Sequence, residues 1–274
     1  MPLVSVVLPT HNGSDYIARA IGSVQAQDFR DWELLVVDDG STDATRDIVV
    51  RLAASDDRIR LVRNETNIGI QRTLNRGLAE ARGTYIARID DDDFWNDSAK
   101  LAAQVAFAEA HPGCAVVGTA AIVADESGRE IYRYRLPESD HAIRRSILAK
   151  NPFAHSAVLF SRERALALGG YGESADVRHV EDHDLWLRMG KAGSLANLSG
   201  YMTTLTARPG SLSARNRAEQ FEKSAALIRT YRDAYPGAWW ALSRAKIRRG
   251  LHRFFKYVPA PIARAFLRFY KRFW

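Results

Sequence analysis

Tyr85-Ile86-Ala87-Arg88-Ile89-Asp90-Asp91-Asp92-Asp93 is a short, mostly apolar run that ends in four consecutive carboxylates. Its length and composition predict a buried strand closed by the aspartates. Three comparable runs precede it. Val4–Leu8 is broken by Thr10-His11-Asn12-Gly13, Leu34–Val37 is closed by Asp38-Asp39-Gly40, and Ile59–Val62 is the third. Helical spacing fills the gaps. Ile17, Ala20, Ile21 and Val24 follow a Ser14 cap, and Ile48, Val49 and Leu52 follow a cap at Ser41, Thr42 or Asp43. Leu74, Leu78 and Ala81 follow Asn67-Ile68-Gly69. Strand–helix alternation predicts an α/β fold with a mostly parallel sheet and helices on both faces. Ligands bind such sheets beyond the carboxyl ends of the strands. Here those ends carry Thr10-His11, Asp38-Asp39 and Asp90 to Asp93, so three chemically loaded segments are expected on one rim.

The four aspartates carry the strongest local chemistry. Adjacent carboxylates repel, and each like-charged neighbour raises the energy of the ionised set. A divalent cation removes that cost, and Mg²⁺ or Mn²⁺ prefers oxygen ligands shared with phosphates. The competing expectation is a solvated acidic loop before a helix capped at Asp97 or Ser98. Asp39 can accept hydrogen bonds from a base or ribose, a role that helix capping by Ser41 or Asp43 leaves open. Glu181-Asp182-His183-Asp184 opens a further expected helix, running to Met189, where acids fit both the dipole and general-base chemistry. His155 is structural or catalytic. No G-x-x-x-x-G-K-S/T motif occurs, and Gly170-Tyr171-Gly172 follows a helical segment instead of the first strand, so neither phosphate-loop pattern applies.

The middle of the chain is less regular. Helices are expected at Lys100–Ala110 and Arg162–Leu168 and strands at Val116–Thr119, Ile131–Tyr134 and Ala157–Phe160, with turns at Asp125–Gly128 and Gly169–Gly172. The 274 residues are 46% hydrophobic and 26% charged, the mix of a globular protein, which excludes disorder and collagen-like repeats. One cysteine, Cys114, permits neither an internal disulfide nor a cysteine-built zinc site and suits a reducing cytoplasm. No apolar run reaches the ~20 residues of a bilayer span. The start, Met1 to Pro9, has neither a basic region nor a cleavage site and is expected to be a strand, not a signal peptide.

These segments together resemble the inverting nucleotide-sugar glycosyltransferases of family 2, of the bacterial polysaccharide type. The matches are Val4–Asn12, Glu33–Asp43, Asn67-Ile68-Gly69 with Leu74–Gly77, Gly83–Asp93 and Glu181–Arg188. They fall in order over residues 3–208. The resemblance implies a GT-A fold with a Rossmann-like sheet and a nucleoside-diphosphate sugar donor, with UDP the expected carrier. Pro9, Thr10, His11 and Asp39 would hold base and ribose, and Arg72 would reach the same pocket. The family's D-x-D element falls on Asp90 and Asp92. Those two and Asp93 would hold Mg²⁺ or Mn²⁺, with His155 a further candidate ligand, and Asp91 would border the donor. At Asp91 this chain departs from relatives that carry a small residue there. Asp182 would be the general base of a hexosyltransferase, supported by Glu181. Another Mg²⁺-dependent nucleotide enzyme, such as a nucleotidyltransferase, and a non-catalytic membrane-surface module are the alternatives; neither would need Asp182.

The net charge of +7 divides sharply. Beyond Asp233 there are ten Lys/Arg and no acid, which leaves 29 bases against 32 acids in residues 1–233, a net −3. Trp240, Ile247, Leu251, Phe254 and Val258 recur at helical spacing, as do Ile262, Phe266, Phe269 and Phe273 after Pro259-Ala260-Pro261. In the second segment Arg264, Arg268, Lys271 and Arg272 lie opposite the phenylalanines. Aromatic faces set against basic faces predict helices that lie on an anionic membrane, each base adding ~1 kcal/mol. Packing on the catalytic domain or on a second subunit is the alternative, and oligomeric state stays open. Nothing base-reading favours nucleic acid. The expected organisation is a catalytic domain over 1–215, with a nucleotide half at 1–97 and an acceptor half at 98–215. A basic helical extension over 216–274 would rest on the inner face of the cell membrane, where a saccharide or lipid-linked saccharide acceptor would be met.

Overall fold

The computed structural model describes residues 1–208 and 216–255. Its first half is a four-stranded parallel sheet in the order β3-β2-β1-β4, formed by β1 (Val4–Thr10), β2 (Trp32–Asp39), β3 (Ile59–Asn64) and β4 (Tyr85–Arg88). The connections are α1 (Ile17–Gln25), α2 (Thr45–Ala53) and α3 (Ile70–Glu80). Every residue of β1 and β2 is buried, the pattern of central strands covered on both faces. Successive side chains then divide between the two faces. Val6, Leu8, Leu34 and Val36 share one core with Ile17, Ile21, Val24 and Val49. Val7, Leu35 and Val37 share the other with Leu74 and Leu78 of α3. The expected Ser14 cap is absent: Tyr16 holds the cap position of α1 without a side-chain bond, and the Ser14 amide donates to Asp43 Oδ2 (3.1 Å).

The sheet continues β4-β8-β6-β9-β5, and its second half is mixed in direction. β8 (Leu159–Ser161) runs antiparallel to β4 and to β6 (Cys114–Ala124), β9 (Ser194–Thr206) runs parallel to β6, and β5 (Phe94–Trp95) is antiparallel to β9. β7 (Glu130–Tyr134) pairs with β6 in a hairpin. Around them lie α4 (Lys100–Ala110), α5 (Asp140–Ser146), α6 (Arg162–Ala167) and α7 (Glu181–Ala192). Trp186 of α7 is fully buried, edge-on to Phe153 (5.7 Å) and Phe160 (5.4 Å), and this fixes the helix over the second half.

The C-terminal helices α8 (Arg217–Tyr231) and α9 (Ala238–Phe255) do not form a separate layer. Leu227, Ile228, Tyr235 and Ala241 are buried in the same core as Trp186 and Leu187, so one hydrophobic core runs across the boundary expected near residue 215. Tyr231 Oη donates to Asp184 Oδ1 and Tyr235 Oη to the Leu187 carbonyl, both at 2.7 Å. Tyr235→Phe is expected to lower stability by about 1 kcal/mol in a denaturant titration, the net worth of one such bond. On the other side of α9, Trp239 is 81% exposed and Trp240 and Ile247 about half exposed. Val258 and the Ile262–Phe273 stripe lie outside the described residues. Among the described residues no helix is long and apolar enough to cross a membrane.

Candidate active site

The chain turns just beyond β4, and the four aspartates are held by different sets of partners, with Ser156 shared by Asp90 and Asp93. Asp90 Oδ1 accepts from Arg88 Nη2 (2.6 Å) and Oδ2 from Ser156 Oγ (3.1 Å). Asp91 Oδ2 accepts from Thr10 Oγ1 (2.6 Å), and Asp92 Oδ2 from Arg208 Nε (2.6 Å). Asp93 is turned into the protein, between Ser156 Oγ and the Thr206 amide. Burial would raise the Asp90 carboxyl, but the Arg88 guanidinium, together with His155 and the hydrogen bonds from Arg88 and Ser156, holds it below the usual range. The other three are pushed up, by burial first and then by the charges of their neighbours, Asp91 to about 6. Arg88 and Arg208 thus offset part of the charge of the cluster, at Asp90 and Asp92, and leave Asp91 and Asp93 without a basic partner among the described residues.

The cluster fits a hard divalent cation, though not as a cage built by protein alone. Among the described residues no three His, Cys, Asp or Glu side chains converge on one point. Asp90 and Asp92, each with one oxygen on an arginine, are the rim carboxylates that could hold Mg²⁺ or Mn²⁺ together with a substrate's phosphates. Asp93, locked on both oxygens, braces the turn. His155 lies apart from this set: its Nε2 is hydrogen-bonded with Tyr171 Oη (3.0 Å) and its ring meets Trp186 edge-on. Burial first, then Arg88, holds the His155 imidazole at about 4, so it is neutral at pH 7.

The ends of β1 and β2 meet beside the acids. Asp39 accepts from Asn64 Nδ2 (2.8 Å) and the Ile68 amide (2.9 Å) on one oxygen and from the Gly69 amide (3.0 Å) on the other. The loop into α3 is thereby bent around this carboxylate. His11 Nδ1 is hydrogen-bonded to the Asp39 carbonyl (2.8 Å), its ring exposed at the rim. Pro9 pairs with β2 beyond the stretch of β1 that pairs with β4, where its missing N–H leaves no ladder bond unmade. Thr10, His11 and Asp39 are therefore brought together. Arg72 is not held with them: its side chain is 65% exposed on α3 and pairs with Glu173 (3.4 Å).

The first turn of α7 supplies the opposing acids. Asp182 Oδ2 accepts from Asn151 Nδ2 and Oδ1 from the His183 amide, both at 2.7 Å. Glu181 is buried and its Oε2 has no hydrogen-bond partner among the described residues. Burial, then the Asp182 charge, raises its carboxyl to about 7. Arg88, Asp90, His155, Glu181 and Asp182 all line one cavity of about 440 Å³, walled on its remaining sides by the loop after α5 and by α8 and α9. Asp90 and the candidate base thus open on a common space.

Several functional side chains carry weak sequence signals. Arg88 is 1% exposed, and it is the one charged residue within an otherwise apolar strand run, an anomaly that points to a buried partner. Ser156, Asn151 and Arg208 come from distant loops and meet the acids only through the fold. Arg88→Met is expected to cost about 1–3 kcal/mol, less than a fully buried pair because Asp90 is 39% exposed. The lost positive charge should also raise the titration of His155 above its value of about 4. Denaturant titration and imidazole NMR check the two effects.

A family model described as glycosyl transferase family 2 matches residues 5–167, more than half of the chain. EpsE of Bacillus subtilis is 39% identical over 194 residues, which cover 70% of this chain and 68% of that protein. The GalNAc(5)-diNAcBac-PP-undecaprenol beta-1,3-glucosyltransferase of Campylobacter jejuni is 42% identical over 94 residues, 34% of this chain and 30% of that protein. Among solved structures, TarS of S. aureus in complex with UDP-GlcNAc superposes with a TM-score of 0.65 at 23% identity, covering 83% of this chain and 66% of the TarS chain. The mannosyltransferase PcManGT of Pyrobaculum calidifontis, in complex with GDP-Man and Mn²⁺, gives 0.66 at 21% identity and covers 99% and 80%. At those identities the structures speak for the fold, a GT-A fold, while the sequence matches speak for descent. The order of strand-end motifs and the family match agree, and the chain belongs to glycosyl transferase family 2 as a glycosyltransferase.

Proposed function

We propose that the chain moves a sugar from a nucleoside-diphosphate sugar, with UDP the expected carrier, to a hydroxyl of a saccharide carried on a lipid, in surface polysaccharide or glycoconjugate synthesis. One observation carries this reading: Asp90 and Asp182, delivered by separate elements, border the same cavity. Thr10, His11 and Asp39 would receive the base and ribose. Asp90 and Asp92 would hold Mg²⁺ or Mn²⁺, which when bound supplies positive charge against the leaving diphosphate. Asp182 would take the proton of the acceptor hydroxyl as that oxygen attacks the anomeric carbon from the face opposite the diphosphate. The C–O bond to the diphosphate breaks with its electron pair leaving on oxygen, and one displacement inverts the anomeric centre. Asn151 positions the base through its bond to Oδ2. Neutral His155 and Tyr171 would pack the wall without competing for that proton.

The exposed Trp239, Trp240 and Ile247 on α9, beside bases from Arg244 to Arg249, support a resting place on an anionic membrane at its inner face. A donor screen that detects released nucleoside diphosphate, with and without Mn²⁺, tests the reading. Metal-dependent release of UDP, with a product whose new glycosidic proton shows inversion by NMR, is the expected result. Release of pyrophosphate would instead fit the nucleotidyltransferase alternative.

A further inference from the structure

We propose that Arg208 couples the cation to the donor's diphosphate: it neutralises Asp92 before a cation arrives, and it passes to the diphosphate when Mg²⁺ or Mn²⁺ takes that carboxylate. The inference rests on the transferase reading above and adds a positioning residue to it. The two arginines on the rim are held differently. Arg88 is 1% exposed within β4, its guanidinium on Asp90 (2.6 Å). Arg208, two residues beyond β9, is 33% exposed, and its guanidinium rests on Asp92 Oδ2 (2.6 Å) and over the face of the Tyr16 ring (5.1 Å). Tyr16 Oη in turn donates to Glu126 (2.8 Å) in the turn between β6 and β7. The backbone around Asp92 does not depend on this guanidinium. The Thr206 amide donates to Asp93 Oδ1 (2.8 Å), and Arg19 Nη2 donates to the Asp92 carbonyl (3.0 Å) and to Thr206 Oγ1 (2.9 Å). Arg208 is thus free to leave Asp92 while the chain on both sides stays tied.

A divalent cation that comes alone to Asp92 meets a guanidinium already on that carboxylate. Two positive groups sharing one carboxylate repel, so the cation binds weakly or displaces the arginine. A displaced Arg208 loses its one anionic partner among the described residues, a charge-assisted hydrogen bond with nothing to replace it. A diphosphate removes both costs. It offers oxygens to the hard cation and further oxygens to the planar fork of the arginine, which binds phosphate in a bidentate manner. Cation and diphosphate therefore favour one another through Arg208, beyond their direct attraction. That coupling is reciprocal: the factor by which the nucleotide tightens the cation is the factor by which the cation tightens the nucleotide.

Mn²⁺ binding to the full chain, read from the paramagnetic resonance of the free ion, is measured alone, with uridine and with UDP. In Arg208→Gln, Mn²⁺ alone should bind about fivefold tighter or more, because the contest at Asp92 is gone. UDP in Mn²⁺ should bind about tenfold more weakly or worse, because the diphosphate has lost its arginine. Uridine has no diphosphate and should bind the variant as it binds the parent, which also reports that the base pocket is folded. Arg208→Lys keeps the charge and should retain the weak binding of Mn²⁺ alone and part of the coupling. Unchanged or weaker binding of Mn²⁺ alone to Arg208→Gln overturns the proposal and assigns the pair with Asp92 a structural role. Equal losses for uridine and UDP also overturn it, since the effect would then lie in the pocket as a whole. A parent chain that fails to bind UDP in Mn²⁺ sinks the transferase reading and the passage to the diphosphate with it, whereas the contest at Asp92 is still decided by Mn²⁺ alone.

Discussion

Exchange of Asp182 for asparagine is expected to lower turnover by roughly 10²–10⁴-fold while UDP affinity in Mn²⁺ stays within about twofold. The separation follows from where Asp182 sits. It is on the first turn of α7, held by Asn151 and by the amide of His183, whereas Asp39, His11 and Thr10 belong to the ends of β1 and β2. Asparagine keeps the volume and one oxygen acceptor; it removes the capacity to take a proton and gives up one of the two accepted hydrogen bonds, from Asn151 or from the His183 amide. Trp186, four residues on, remains wedged between Phe153 and Phe160, so the helix has no reason to shift. The loss should therefore appear in kcat and in single-turnover rates, with the donor KM nearly unchanged. Full turnover in Asp182→Asn would remove the base assignment and leave the family membership untouched.

The nucleotide half was legible because its strands and helices keep separate periods. β1 and β2 bury every residue, α1 and α3 carry their apolar residues at helical spacing, and the carboxyl ends come together on one rim as expected of a parallel sheet. The second half was harder for physical reasons. β9 spans thirteen residues, yet it is polar at its centre and pairs with β6 across irregularities in register, so no clean alternation marks it. α5 is a single short helix capped by Ser139, too brief for a periodic signal. In the tail, basic and aromatic spacing marks a helix but not what it packs on, and Leu227, Ile228, Tyr235 and Ala241 join α8 and the start of α9 to the core of α7 only through the fold. The partners of the acids were least legible of all. Asn151 lies 31 residues from Asp182 and Arg208 lies 116 from Asp92, and contacts at those separations exist only after the chain has folded.

Glu181→Gln is expected to stabilise the metal-free protein at pH 8 and to change little at pH 4, with a full difference on the order of 3 kcal/mol. Glu181 is buried, its Oε2 makes no hydrogen bond among the described residues, and Asp182 stands beside it; burial and that neighbouring charge lift its carboxyl from 4.5 to about 7. The sign follows from proton counts. Below about pH 4.5 the group is protonated whether the chain is folded or unfolded, and it imposes no penalty. Between 4.5 and 7 the unfolded chain releases the proton and the folded chain keeps it, so stability falls as pH rises. Above 7 both forms are ionised and the penalty of a buried, poorly bonded carboxylate is complete. Glutamine has the same shape and no charge at any of these pH values, which makes the difference between the two proteins a measure of this one group. Urea titrations of both in EDTA, from pH 4 to 8, should give curves that coincide in acid and separate steadily toward pH 8. A constant offset at every pH would instead assign Glu181 a packing role, with no titration behind it.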